Sequence, residues 1–291
     1  MKELILLHLL VISAIAGPYQ APNEWQDADA AWLANKIYEG SNTMNTDSGY
    51  VFHSHNSRQW GAYALWKQKN NGECYVVIRG TKTLSDVFVD LDVEEINDEQ
   101  VGVRVHRGVK TRADFIFRDI DDKLKICTED IIITGHSLGG SIAYYLYLKY
   151  VYYHIFEWGQ FNKATRFKAD LFATPALTTE SNNPLVSMFD KYVNWFKYRS
   201  DPIPFIIPKV KSSLLFKILN DLLLSLGITI HEKAYNIIKT VSYGTHHPGK
   251  KYTLKNGEKR DFNYEIGVWN RFGISDHIDF YEAVNILTKI W

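Results

Sequence analysis

The chain has 291 residues, 46% of them hydrophobic, and 33 basic side chains balance 33 acidic ones. That balance leaves no basic field for nucleic acid and no acidic field for cationic partners, so no nucleic-acid partner is expected. The length suffices for one large α/β domain with a full core, and no repeat, low-complexity tract or Pro-, Gly- or Ser-rich linker divides it.

Met1-Lys2-Glu3 precedes an apolar run from Leu4 to Ala16, broken only by His8 and Ser13. Ala14-Ile15-Ala16 offers small residues where a signal peptidase reads, so 1–16 is expected to be a signal peptide and 17–291 one secreted domain. A buried first helix is the alternative. The run is short for a bilayer span, and no later stretch reads as a transmembrane segment.

Gln26 to Tyr38 reads as a helix with Ala30, Leu33, Ala34 and Ile37 inward. Gly61 to Gln68 alternates as a strand, Asn70-Asn71-Gly72 is a turn, and Cys74 to Arg79 is a second strand. Beyond Gly80, Lys82 to Leu91 is a short amphipathic segment with Leu84, Val87, Phe88 and Leu91 on one face. Val101 to His106 reads as a strand, and Gly108 to Lys125 as a helix with Ala113, Phe117, Ile120 and Leu124 available for packing. Cys74 opens one core strand and Cys127 lies just before another; buried free thiols are expected, with a disulfide as the alternative. Neither C-x-x-C nor H-E-x-x-H occurs, so no metal site is expected.

Ile131-Ile132-Ile133 then leads through Thr134 into Gly135-His136-Ser137-Leu138-Gly139, and Gly140 to Tyr150 reads as a helix with Ile142, Tyr145 and Leu146 on one face. A strand that turns into a helix through G-x-S-x-G has the form of a nucleophile elbow. The sharp turn needs small neighbours, which Gly135 and Gly139 supply, and it lifts Ser137 above the sheet beside the Leu138 N–H. A plain Gly-rich turn is the alternative; the strand before and the helix after favour the elbow.

Ala169 to Ala173 is a further strand ending at Thr174-Pro175, Pro184 to Tyr192 a helix, and Val193 to Arg199 a strand that runs into Asp201-Pro202-Ile203-Pro204. Ser212 to Leu226 is a strongly apolar helix, and Lys251 to Leu254 a last strand. Strands alternating with helices predict an α/β fold whose mostly parallel central sheet carries helices on both faces.

A serine hydroxyl needs a base and a group that orients the base, in the chain order Ser, Asp or Glu, His for such folds. Asp201 follows a strand at its C-terminal end, where open sheets place their sites. Asp190 is a rival that sits within a helix. His277, close to the C-terminus, opens a last helix; His246 and His247, in a loop before the last strand, remain alternatives on chemistry alone.

Gly135-His136-Ser137-Leu138-Gly139-Gly140 together with Val77-Ile78-Arg79-Gly80-Thr81 resembles the class 3 lipases, the fungal triacylglycerol lipases and their relatives. The resemblance runs from about Cys74 to Tyr281. Val105-His106-Arg107-Gly108 is close to the family's V-H-x-G-F, and Thr174-Pro175 sits where its members carry a G-x-P turn. Asp201-Pro202-Ile203-Pro204 is similar to N-D-P-V-P, and Asp276 to Tyr281 to D-H-x-x-Y with one extra residue; His247-Pro248-Gly249 falls in an H-x-G segment outside the triad. The resemblance implies an α/β-hydrolase fold and a triad of Ser137, Asp201 and His277. It further implies an oxyanion hole from Thr81 and Leu138, no cofactor, and a lid built on Leu84, Val87, Phe88 and Leu91. Arg79 is expected to be a structural partner. Val87 stands where members often carry Trp, Val109 where they carry Phe, and Thr174-Pro175 lacks the opening glycine. The implied function is a secreted lipid-ester hydrolase, most simply a triacylglycerol lipase touching a lipid surface peripherally; a phospholipase, a soluble-ester esterase and an inactive binding or storage protein are the alternatives.

Overall fold

The computed structural model describes residues 24–38, 49–56, 62–80, 95–175, 184–198, 250–255 and 258–261. Its centre is an eight-stranded sheet. β1 (Tyr50–Asn56), β2 (Tyr63–Gln68) and β3 (Cys74–Ile78) follow one another at one side. β6 (Ile131–His136), β7 (Phe167–Phe172), β8 (Val193–Tyr198), β9 (Lys250–Lys255) and β10 (Glu258–Asp261) complete the order. Strands β3, β6, β7, β8 and β9 are mutually parallel, and β1, β2 and β10 are antiparallel to their neighbours. A separate hairpin pairs β4 (Glu95–Asp98) with β5 (Val103–His106).

The period of two decides which helix each strand residue meets. On β3, Cys74, Val76 and Ile78 face a core shared with α2 (Arg107–Ile120) and α3 (Leu138–Tyr152), while Tyr75 and Val77 face α1 (Glu24–Lys36). Ile131 and Ile133 of β6 take the first side and Ile132 the second. Such strands are apolar on both faces because both are covered. This is the α/β-hydrolase fold, with helices on both sides of a mostly parallel sheet.

Several elements depart from the sequence reading. β1 was not expected: a register shift between Phe52 and Ser54 breaks its alternation. The Val101–His106 strand starts at Val103 and belongs to the side hairpin, because Gly102 turns with φ +73°. The Gly108–Lys125 helix tightens to 3₁₀ geometry at Asp121–Ile126. The Pro184–Tyr192 helix likewise divides, into α5 (Pro184–Phe189) and a 3₁₀ turn at Asp190–Tyr192; the short α4 (Phe161–Ala164) precedes β7. On α3 every residue from Leu138 to Val151 is buried, not one face alone, since sheet and helices surround it.

Cys74 and Cys127, expected as free thiols, form a disulfide. The parallel pairing of β3 with β6, Cys74 opposite Ile131, brings the two Cα atoms to 5.7 Å, within bonding range. Among the described residues no helix is long and apolar enough to cross a membrane. Residues 1–16 and 212–226 lie outside the described residues.

Candidate active site

The site grows from β6, the strand between β3 and β7. Its three isoleucines are at most 4% exposed and leave the chain little choice of register. At its C-terminal end Ser137 takes φ 56° and ψ −128°, a region that non-glycine residues rarely adopt, and becomes the N-cap of α3. The turn is held by hydrogen bonds. The Ser137 N–H donates to the Phe172 carbonyl at 2.9 Å, and the Ser137 carbonyl accepts from Gly140 and Ser141 at 3.0 and 3.4 Å.

Close backbone approach explains the two outer glycines. A Cβ on Gly135 would stand 2.5 Å from the Gly139 carbonyl carbon and 2.7 Å from the Ile78 oxygen. One on Gly139 would meet the Ile78 oxygen, with Gly80 N at 2.7 Å and Arg79 C at 2.9 Å. All of these are backbone atoms that cannot swing aside. The turn after β3 is therefore packed directly on the serine turn, and Gly80 precedes Thr81.

Three further supports were not singled out from sequence. Ala173, at the end of β7, has φ 52° and donates its N–H to the Phe196 carbonyl at 2.7 Å. It occupies the opening of the Thr174-Pro175 turn, so alanine adopts what glycine takes freely. The Ser141 hydroxyl donates to the Pro175 carbonyl at 2.8 Å, and Trp195 Nε1 donates to the Thr174 carbonyl at 3.2 Å. The first bond clamps that turn onto α3 and the second onto β8. The Tyr38 hydroxyl is buried beside the Gly80 backbone, with the ring edge-on to His136 at 6.2 Å. Burial pushes this phenol above its ordinary range, with Gly80 N–H and the Arg79 guanidinium opposing. Only its place at the end of a helix marked Tyr38, and that is no signal for a site.

Ser137 and Leu138 thus sit together at the β6–α3 turn, 2% and 0% exposed. Thr81, Asp201, His277, the rivals His246 and His247, and Leu84, Val87, Phe88 and Leu91 lie outside the described residues. Asp190, the other rival, is in the 3₁₀ turn after α5, where the Tyr144 hydroxyl approaches it at 3.5 Å.

Residues 75–211 match the family model for class 3 lipases. No curated protein matches the chain by sequence. Among solved structures it is similar to a lipase from Rhizopus microsporus var. chinensis, at 16% identity over 89% of this chain and 87% of that one, with a TM-score of 0.60. A triacylglyceride lipase from Rhizomucor miehei is 14% identical over 89% and 95% of the two chains, with a TM-score of 0.62. A triacylglycerol lipase described as having a serine protease triad as its catalytic centre matches at 14% identity over 89% and 95%, with a TM-score of 0.58.

Proposed function

The chain is similar to the class 3 lipases over residues 75–211, and from that premise we propose that it is a serine-dependent hydrolase of lipid carboxylic esters, a triacylglycerol lipase most directly. The observation that carries the reading is the Ser137 turn, a positive-φ serine at the end of a central parallel strand, with the Gly80 backbone against Gly139. In this reading Ser137 attacks the ester carbonyl while His277 takes its proton. Asp201 fixes the imidazole tautomer and stabilises its charged form. The N–H groups of Thr81 and Leu138 hold the developing oxyanion, each donor worth about 3–4 kcal/mol of barrier. An acyl-enzyme forms, and water activated by His277 releases the fatty acid. The strained turn favours this use, because it fixes the hydroxyl before substrate arrives.

Secretion after removal of residues 1–16 fits the Cys74–Cys127 disulfide, a bond at home in oxidising compartments. Residues 17–291 then act as one domain. The Leu84, Val87, Phe88 and Leu91 face is the lid that meets a lipid surface.

Labelling with a fluorophosphonate probe tests the reading. The wild-type chain should be labelled at one serine, and Ser137→Ala should abolish labelling while keeping the native circular dichroism spectrum. Labelling of a folded Ser137→Ala protein would remove Ser137 from the role.

A further inference from the structure

The opposite end of the sheet holds a cavity. It opens at the starts of β6 and β7, beside Ile131 and Phe167, roughly 20 Å from Ser137 by the rise of a six-residue strand. It encloses about 350 Å³. Four rings stand in its walls, Tyr150, His154, Trp158 and Phe167, among charged and polar side chains. Tyr150 stacks on Phe167 with centroids 4.7 Å apart, and His154 meets Trp158 edge-on at 4.6 Å. A π-helical turn at Tyr153–Glu157 follows α3 and is closed by the Trp158 N–H donating to the Tyr153 carbonyl at 3.0 Å. Its extra residue turns His154 inward and leaves Trp158 at the rim, 40% exposed. Single π turns of this kind cluster at functional sites.

Two of the lining residues carry a polar atom that is buried without a hydrogen-bond partner, the Tyr150 hydroxyl and His154 Nδ1. Such groups normally find partners, so a pocket that collects two of them is suited to a polar ligand. The charges are divided along it. The Asp121 carboxylate acts on Tyr150, and Lys163 with Arg166 act on His154. Burial pushes the His154 imidazole down to about 4, Gln160 opposes the fall, and Lys163 and Arg166 add to it, so the ring is neutral at pH 7. Arg166 is anchored by the carbonyls of Glu129 and Cys127, which fixes the basic end.

We propose that this groove is a second ligand site, one that takes a hydroxylated aromatic carboxylate. Its carboxylate lies between Lys163 and Arg166, its ring against Trp158 and His154, and its hydroxyl between Tyr150 and Asp121. Flat ring faces suit a flat body, and a guanidinium suits a carboxylate. A fatty acyl chain fits poorly, because only Leu124 and Ile131 are aliphatic among the groove's walls.

Titration calorimetry of the full chain with 4-hydroxycinnamate tests the site, with octanoate and unsubstituted cinnamate as comparators. One equivalent of 4-hydroxycinnamate should bind, cinnamate more weakly and octanoate not measurably. Lys163→Glu should weaken binding by about tenfold or more, since it removes one charge-assisted contact and sets a carboxylate against the ligand's own. Tyr150→Phe should also weaken it while leaving thermal stability unchanged or higher, because the hydroxyl removed had no partner in the free protein. Ser137→Ala should bind as wild type does. Absence of binding, octanoate binding as tightly, or affinity unchanged in Lys163→Glu would overturn the proposal, as would loss of binding in folded Ser137→Ala, which would move the ligand to the serine turn.

Discussion

Ser137 and Ala173 are the two described non-glycine residues with positive φ, and they end neighbouring strands. Their consequences differ. At Ser137 the torsion aims a hydroxyl, so replacement by glycine would relax the turn and discard the group. At Ala173 the side chain is only a methyl, and the torsion costs stability without an evident return. Ala173→Gly should therefore raise stability by about 1 kcal/mol, the steric cost of a left-handed L-residue less the entropy that glycine loses. The check is the urea midpoint; an unchanged or lower midpoint would mean that neighbours bear the turn at no cost. Gly139→Ala should do the reverse, since its Cβ meets backbone on three sides. It is expected to cost more than 2 kcal/mol or prevent folding, by the measure of strained or overpacked sites, roughly 1–3 kcal/mol each. Ser137 and both glycines were legible because their spacing states a steric requirement. Ala173 was not, because nothing in Ala-Thr-Pro announces a left-handed torsion.

Among elements, the β4–β5 hairpin is held to α2 and α3 by charge. Asp98 accepts from the Tyr145 hydroxyl in a short hydrogen bond and from the N–H groups of Gln100 and Val101 at 3.0 Å each, and Lys110 lies 3.2 Å away. Burial alone would raise the Asp98 pKa; Tyr145, Val101 and Lys110 outweigh it and hold it below the ordinary value. A depressed pKa contributes stability that is full above the unfolded value, near about 4, and lost as pH falls through the folded value. Asp98→Asn should thus be less stable than wild type at pH 7, with the gap closing below about pH 4; urea titrations at both pH values measure it, and a constant gap would exclude the charge as the cause. The first strand of the hairpin escaped the sequence reading for a related reason: Glu95-Ile96-Asn97-Asp98 is too acidic to resemble a strand, and its tie to Tyr145 on α3 is distant in sequence. The segment Lys82 to Leu91 presents the opposite case, a pattern plain in sequence. If it is a lid, its apolar face is exposed only when a lipid surface receives it. Phe88→Asp should then blunt the jump in turnover as substrate passes its solubility limit while sparing a short soluble ester. Smooth saturation through that limit in both proteins would dispose of the lid.

For the molecule as a whole, the parallel sheet was legible because apolar runs of β-branched residues recur between helical patterns. The disulfide was not, because spacing along a chain says nothing of which strands become neighbours. Its two cysteines are 53 positions apart, and closing a loop of that length in the unfolded chain is worth about 4 kcal/mol in the chain-entropy description. Replacing both cysteines with alanine should cost up to that amount, read from denaturant unfolding of oxidised wild type against the double variant. Equal stability would mean that the folded packing alone sets the balance.

The same crosslink has a bearing on alignment. Strands β3 and β6 meet at two ends: at one, Cys74 is tied to the residues before Ile131; at the other, Ile78 and Gly80 press on Gly135 and Gly139. A slip of one residue between them would carry the serine about 3.3 Å along the strand and turn every β6 side chain to the wrong face. A covalent tie at the far end forbids that slip, and so it acts as an index mark that keeps Ser137 level with the turn that follows β3.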